Sequence, residues 1–219
     1  MIRIISGIYK NRRLKKVPGL TVRPIQDKVK GALFNILGER LKGSVCLDGF
    51  AGTGSIGLEA LSRGASRVVF VDEFYPAVKV IKANIVKCGA EEKALVLHRE
   101  FNRAVIDLAK KKASFDVIFL DPPYRLLSDR NPLKVIRKRG ILNPEGIIIL
   151  RHHFKIKPKG DDFELRRRTA VGDDILAFFG YRDCGAADSD SGRDNSDARA
   201  GGSPNQADEA APDTTGTGR

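Results

Sequence analysis

The sequence predicts an α/β chain built on a doubly wound, mostly parallel sheet. Three observations carry this. Short apolar runs alternate with segments of helical period from residue 44 to residue 151. A glycine-rich turn joins the first of these runs to the helix after it. The last two strand-like runs, Phe163–Thr169 and Asp174–Phe179, have no helix between them, which suits an antiparallel pair closing one edge of a seven-stranded sheet.

Ile2–Ile5 and Leu14–Val17 read as short strands around a turn holding Gly7 and Asn11. Arg12, Arg13, Lys15 and Lys16 stud this hairpin, which is expected to be a basic arm outside the main domain. Arg23-Pro24 opens a helix, with proline in its first turn. Val29, Ala32, Leu33, Ile36 and Leu37 recur at helical spacing there, and Lys28 and Lys30 are expected off that face. Ser44–Asp48 is the first strand of the sheet and Ser55–Arg63 its helix. Strand Arg67–Asp72 leads to helix Pro76–Lys87, and strand Ala94–His98 to helix Asn102–Lys111. Strand Ser114–Leu120 leads to helix Pro132–Lys138, and Gly146–Arg151 is the fifth strand.

Composition divides the 219 residues. Residues 183–219 contain no Leu, Ile, Val, Phe, Met, Trp or Tyr. Such a stretch buries too little apolar surface to offset its ordering entropy, and a disordered tail is expected. That leaves a basic hairpin and helix, 1–42, and an α/β domain, 43–182. The tail holds three Arg and eight acids, so residues 1–182 carry 36 basic and 19 acidic side chains, a net of +17. Eleven basic and two acidic residues fall in the first 42. Charge so concentrated suits a polyanion, most simply nucleic acid.

Cys46, Cys88 and Cys184 show no paired spacing, which argues against a disulfide framework or a zinc site and for reduced thiols in the cytoplasm. No apolar run approaches the ~20 residues that span a bilayer. His152-His153 has no acidic or cysteine partner at ligand spacing, so no metal is expected. A monomer without membrane attachment is the expected state.

Two motifs carry chemistry. Gly52, Gly54 and Gly57 fit G-x-G-x-x-G between a strand and a helix, where backbone approaches a ligand closely. Phe50 and Ala51 complete that turn. Asp72 ends the next strand, placed to accept bonds from ribose hydroxyls. The glycines alone serve a nicotinamide nucleotide or S-adenosylmethionine equally. Asp48 favours the second, because a carboxylate there would crowd a pyrophosphate but attract an ammonium. Glu100 and Phe101 follow the third strand; they suit an adenine amino group and ring face, or equally a solvated acid and a core phenylalanine.

The other motif is Asp121-Pro122-Pro123-Tyr124, at the end of the fourth strand. Two prolines stiffen the backbone and remove two N–H donors. The Asp121 carboxylate and Pro122 carbonyl would then accept both hydrogens of an exocyclic amine, and Tyr124 would stack on the base.

These residues resemble the bacterial guanine-N2 methyltransferases that modify one guanine of small-subunit (16S) ribosomal RNA, over about Arg3 to Phe179. Arg3-Ile4-Ile5-Ser6-Gly7 is similar to that family's opening. The segment from Arg23 to Leu37 is similar to its RPT-x-D-RVRE-ALFNIL stretch. Asp48–Gly57 is similar to its cofactor motif, and Asp121–Tyr124 to its catalytic one. The resemblance implies a class I methyltransferase fold, which is Rossmann-like, S-adenosylmethionine as donor, and an amine of ribosomal RNA as acceptor, within the small subunit. Arg12, Arg13, Lys15, Lys16, Arg23, Lys28 and Lys30 would then grip phosphates. Gly31, Ile25 and Asp72 stand where the family usually has Glu, Thr and Glu.

Rival readings remain open on sequence alone. A DNA adenine-N6 methyltransferase uses the same D-P-P-Y site but usually carries a larger target-reading domain. A protein-glutamine methyltransferase would leave the basic arm unused. An oxidoreductase would leave D-P-P-Y unexplained. A non-catalytic RNA-binding assembly factor would keep the fold without turnover.

Overall fold

Where the N-terminal segment turns back on itself, its backbone donors bond to side chains of the sheet domain instead of extending a ladder. The computed structural model describes residues 2–19, 26–123, 126, 131–156 and 163–182. The hairpin strands β1 (Ile2–Arg3) and β2 (Arg13–Leu14) are only two residues each. The longer strands expected from the apolar pattern stop because Ile5 N–H and Ser6 N–H donate to the Glu59 carboxylate, and Lys15 N–H donates to Asn84 Oδ1.

Five α-helices and seven further strands follow among the described residues. They are α1 (Asp27–Leu37), β3 (Val45–Gly49), α2 (Ser55–Ser62), β4 (Arg67–Asp72), α3 (Tyr75–Cys88) and β5 (Ala94–His98). Then come α4 (Phe101–Lys110), β6 (Phe115–Leu120), α5 (Pro132–Arg139), β7 (Leu142–His153), β8 (Glu164–Val171) and β9 (Asp174–Gly180). The start expected for the first helix, Arg23-Pro24, lies outside the described residues, as do Tyr124, Cys184 and the tail from residue 183.

The seven-stranded sheet runs β5-β4-β3-β6-β7-β9-β8. Strands β3 to β7 are parallel, and β9 and β8 return antiparallel, as the missing helix predicted. Each face buries one apolar layer. Helices α1, α2 and α3 pack Leu33, Leu58 and Ile81 onto one face, and α4 and α5 pack Val105 and Ile136 onto the other.

The hairpin was expected to stand free of the domain, and it does not. Ile2, Ile4, Tyr9 and Leu14 join the same buried cluster as α1 and α2. Val17 packs on Ala77 and Val80 of α3. Ile8 N–H donates to the Ser62 carbonyl and Tyr9 N–H to Ser62 Oγ. Gly7, at φ +79°, lies so close to α2 that an added Cβ would sit 1.8 Å from the Ser62 carbonyl oxygen. Residues 1–182 form one compact unit, and among the described residues the hairpin and α1 share its buried core.

Candidate active site

From β3 the chain winds outward through β4 and β5, then returns to place β6 on the other side of β3. The β3–β6 pair is therefore the point where strand order reverses, and in open α/β sheets the ligand crevice lies outside the carboxyl ends of such strands. Asp48 and Phe119 are paired in register. Asp121 is two residues past Phe119, so both carboxylates belong to one face. They border a common cavity of about 30 Å³, lined also by Leu33, Ile56, Ile149 and Leu176.

The glycine loop is shaped by its partners. Phe50, Gly52 and Gly54 have φ of 65°, 57° and 76°. Gly54 N–H donates to the Ala51 carbonyl at 2.7 Å, and Ala51 N–H to the Val71 carbonyl at 3.0 Å. Gly57 is a packing glycine: a Cβ there would lie 2.3 Å from the Phe70 ring. Gly52 faces open space: among the described residues nothing lies within 4 Å of where its Cβ would be. An open cradle of this kind lets a ligand meet bare backbone.

Asp48 is buried, and its Oδ2 accepts from Gly57 N–H at 2.8 Å. Burial pushes its carboxyl up to about 8, with Asp121 and Asp72 adding to the shift. Asp72 accepts from Gly52 N–H at 2.7 Å through one oxygen and from Phe74 N–H at 2.8 Å through the other. Its burial raises its pKa and these two donors oppose that rise. Each oxygen keeps a further lone pair for a hydroxyl.

Asp121 is 46% exposed and pairs at 2.6 Å with Arg151, whose side chain is 14% exposed. Pro122 is buried and Pro123 exposed. The Pro123 carbonyl accepts from Leu126 N–H at 2.9 Å, so the Pro122 carbonyl is the one to consider for a ligand. Among the described residues Arg151 Nε is enclosed without a hydrogen-bond partner, which costs about 1–3 kcal/mol.

The family described as Conserved hypothetical protein 95 matches residues 2–180, from the hairpin to the last strand. The chain belongs to the Conserved hypothetical protein 95 family.

Relatives in this family span most of the chain. Ribosomal RNA small subunit methyltransferase D of Haemophilus influenzae is 35% identical over 152 residues, 67% of this chain and 76% of that protein. Its Escherichia coli K12 namesake is 28% identical over 191 residues, 86% and 94% of the two chains. A solved hypothetical protein of Thermus thermophilus superposes with a TM-score of 0.72 at 27% identity, covering 82% of this chain and 99% of that one. Solved methylase-type relatives from Escherichia coli and Haemophilus influenzae share the fold, at TM-scores of 0.69 and 0.66. This is the class I methyltransferase fold.

The remaining expected site residues divide. Glu100 caps α4, its Oε2 accepting from Arg103 N–H at 3.0 Å, so its ordinary use is structural. Phe101 is 3% exposed, stacks on Phe50 at 4.8 Å and closes over Gly49. Its ring is committed to the core; half-buried Phe50 is the better placed of the two to cover a base. Arg12, Arg13, Lys15, Lys16 and Lys28 are all exposed, as a phosphate partner requires. Lys30 is a correction: it is fully buried, 3.8 Å from Glu59, and donates to the Arg3 carbonyl. A side chain so enclosed reaches no phosphate. Arg23 and Tyr124 lie outside the described residues.

Sequence reasoning missed three residues of this family member. Arg151 follows the apolar run Ile147–Leu150, and a charge in that position was the available signal. Asp174, which holds its other side, becomes a neighbour only through the antiparallel return of β9. Asn84 is buried on α3 and donates to both the Thr53 and Lys15 carbonyls, tying the glycine loop to the hairpin. Among the described residues no group of His, Cys, Asp and Glu could hold a metal ion, and no helix is long and apolar enough to cross a membrane.

Proposed function

We propose that this chain transfers a methyl group from S-adenosylmethionine to the exocyclic N2 amine of a guanine in small-subunit ribosomal RNA. The observation that carries the reading is the pair of carboxylates, Asp48 and Asp121, on one face at the β3–β6 reversal. The relatives named as small-subunit ribosomal RNA methyltransferases support the acceptor class. The resemblance in the Asp121–Tyr124 motif supports the amine, and the guanine N2 position follows from the same resemblance.

The residues fit the donor. Gly52 offers an open backbone cradle, Asp72 has lone pairs for ribose hydroxyls, and Asp48 lies beside the loop. When bound, S-adenosylmethionine supplies a methyl group activated on a sulfonium. Asp48, held near 8 by burial, becomes anionic when a cation lies beside it, which fits an ammonium-bearing ligand.

An amine conjugated to a purine is a weak nucleophile because its lone pair is delocalised into the ring. The Asp121 carboxylate accepts one of its hydrogens and the Pro122 carbonyl the other. That pins the nitrogen and stabilises the positive charge it gains. As the methyl group's bond to nitrogen forms, its bond to sulfur would break to leave a neutral thioether, and the surplus proton would pass to solvent water beside Asp121, whose side chain reaches solvent. Tyr124 stacks on the extruded base. Arg12, Arg13, Lys15, Lys16, Arg23 and Lys28 meet phosphates.

The test is transfer of a labelled methyl group to small subunits from a strain lacking the gene, followed by nucleoside analysis. Label in N2-methylguanosine is expected. Label in another nucleoside overturns the guanine assignment, and none at all overturns the reading. Asp121→Ala should abolish transfer while titration calorimetry still shows donor binding.

A further inference from the structure

Arg151 and Asp121 are neighbours by construction. Leu120 and Leu150 pair in register, so the next residue on each strand lies side by side at the carboxyl edge. Asp174 arrives from β9 on the other flank. Arg151 Nη1 donates to Asp121 Oδ2 at 2.6 Å, and Nη2 donates to Asp174 Oδ2 at 3.2 Å. One planar guanidinium thus spans two carboxylates, and its fork leaves little rotational freedom to either.

We propose that Arg151 is a positioning residue, which fixes Asp121 as an oriented carboxylate and leaves its second oxygen to receive the acceptor amine. This rests on the methyl-transfer reading above. A protonated Asp121 would present an O–H donor to an amine that itself donates, and the hydrogen bond would no longer form.

Among the described residues, three charged groups face Asp121 from the strands around it: Asp48 on β3, Arg151 on β7 and Asp174 on β9. Partial desolvation raises the Asp121 carboxyl above its ordinary range, the Arg151 guanidinium opposes that rise, and Asp174 adds a smaller one. Of these three neighbours, Arg151 alone is a cation.

The test is the pH profile of kcat for methyl transfer, from about pH 6 to about pH 9, in wild type, Arg151→Met, Arg151→Lys and Asp174→Asn, with donor affinity measured by calorimetry. Arg151→Met should lower kcat by about 100-fold near neutrality and shift the acidic limb to higher pH, so that the deficit narrows in alkaline buffer. Its donor affinity should stay near wild type. Arg151→Lys keeps the charge, so its limb should stay near the wild-type position while its kcat stays reduced, because an ammonium lacks the fork. Asp174→Asn removes an acid and should shift the limb to lower pH. Should Arg151→Met fail to fold, the Asp174→Asn limb decides, and an unmoved limb there overturns the proposal. A deficit of the same size at every pH in Arg151→Met also overturns it, as does full activity. Absence of transfer by the wild type overturns the methyl-transfer reading itself.

Discussion

The Lys30 ammonium lies 3.8 Å from Glu59 Oε2, and neither side chain reaches solvent. Glu59 also accepts from Ile5 N–H at 2.8 Å, Ser6 N–H at 3.0 Å and Arg63 Nε at 2.9 Å. The pair therefore joins α1, α2 and the hairpin at one buried point. Burial lowers the Lys30 pKa, and Glu59 and Asp27 oppose that fall.

Lys30→Met should destabilise the fold by about 3 kcal/mol, towards the low end for breaking a buried pair because Arg63 still faces Glu59. The urea midpoint reads this. The salt slope of RNA binding should stay at the wild-type value. A slope reduced by about one unit with stability unchanged would restore Lys30 to the phosphate-binding set.

Asp48 gives the ligand-free protein a pH signature. Its carboxyl rises from an ordinary 3.8 to about 8 in the fold. Between those values the folded state holds a proton that the unfolded chain has released, so stability falls as pH rises across that window. From this one group the slope reaches about 1.4 kcal/mol per pH unit. Asp48→Asn removes it. Denaturant titrations from acid to mild base should show the variant gaining on wild type as pH rises. Parallel curves would mean that Asp48 is ionised in the free protein.

Gly57 and Gly52 sit in one motif and should fail differently. Gly57→Ala puts a methyl group 2.3 Å from the Phe70 ring and 2.8 Å from Val68, and both neighbours are buried. A loss of about 1–3 kcal/mol is expected from that overpacking. Gly52→Ala meets no atom within 4 Å and bears only a left-handed φ of 57°, about 1 kcal/mol. Donor affinity should reverse the order if Gly52 is the ligand-facing cradle. Thermal melts and donor titrations of the two variants separate the roles.

How much of this was legible follows from where each interaction comes from. Strand boundaries from Arg67–Asp72 to Ala94–His98 agree with the sequence reading because apolar runs between helical segments are a local signal. The third glycine of the motif packs on Phe70 as such glycines do. The charge of Lys30 predicts exposure, but its spacing to Leu33, Phe34 and Leu37 puts it on the buried stripe, and position prevails over residue type. Glu59, a lone acid among Leu58, Ala60 and Leu61, signalled a buried partner that no local pattern could name. The Arg151–Asp174 pairing depends on β9 reversing against β7, and the hairpin strands shorten because Glu59 and Asn84 take their donors. These are long-range exchanges of hydrogen bonds, which periodicity does not record.

The hairpin's cations divide by what already holds them. Arg12 lies over the Tyr9 ring at 5.5 Å and donates to the Lys87 carbonyl, so reversing its charge disturbs packing as well as field. Arg13 and Lys16 are exposed on the same hairpin. Arg13→Glu with Lys16→Glu should therefore leave the melting temperature within a degree or so of wild type and weaken RNA binding. Each phosphate that the hairpin no longer neutralises should flatten the plot of log affinity against log salt by about 0.7–0.9. A double variant with wild-type slope would take the hairpin out of the RNA interface. A variant with lowered affinity but unchanged slope would place the defect in hairpin geometry, and Arg12→Ala, which removes the stacked cation without reversing it, would then reproduce it.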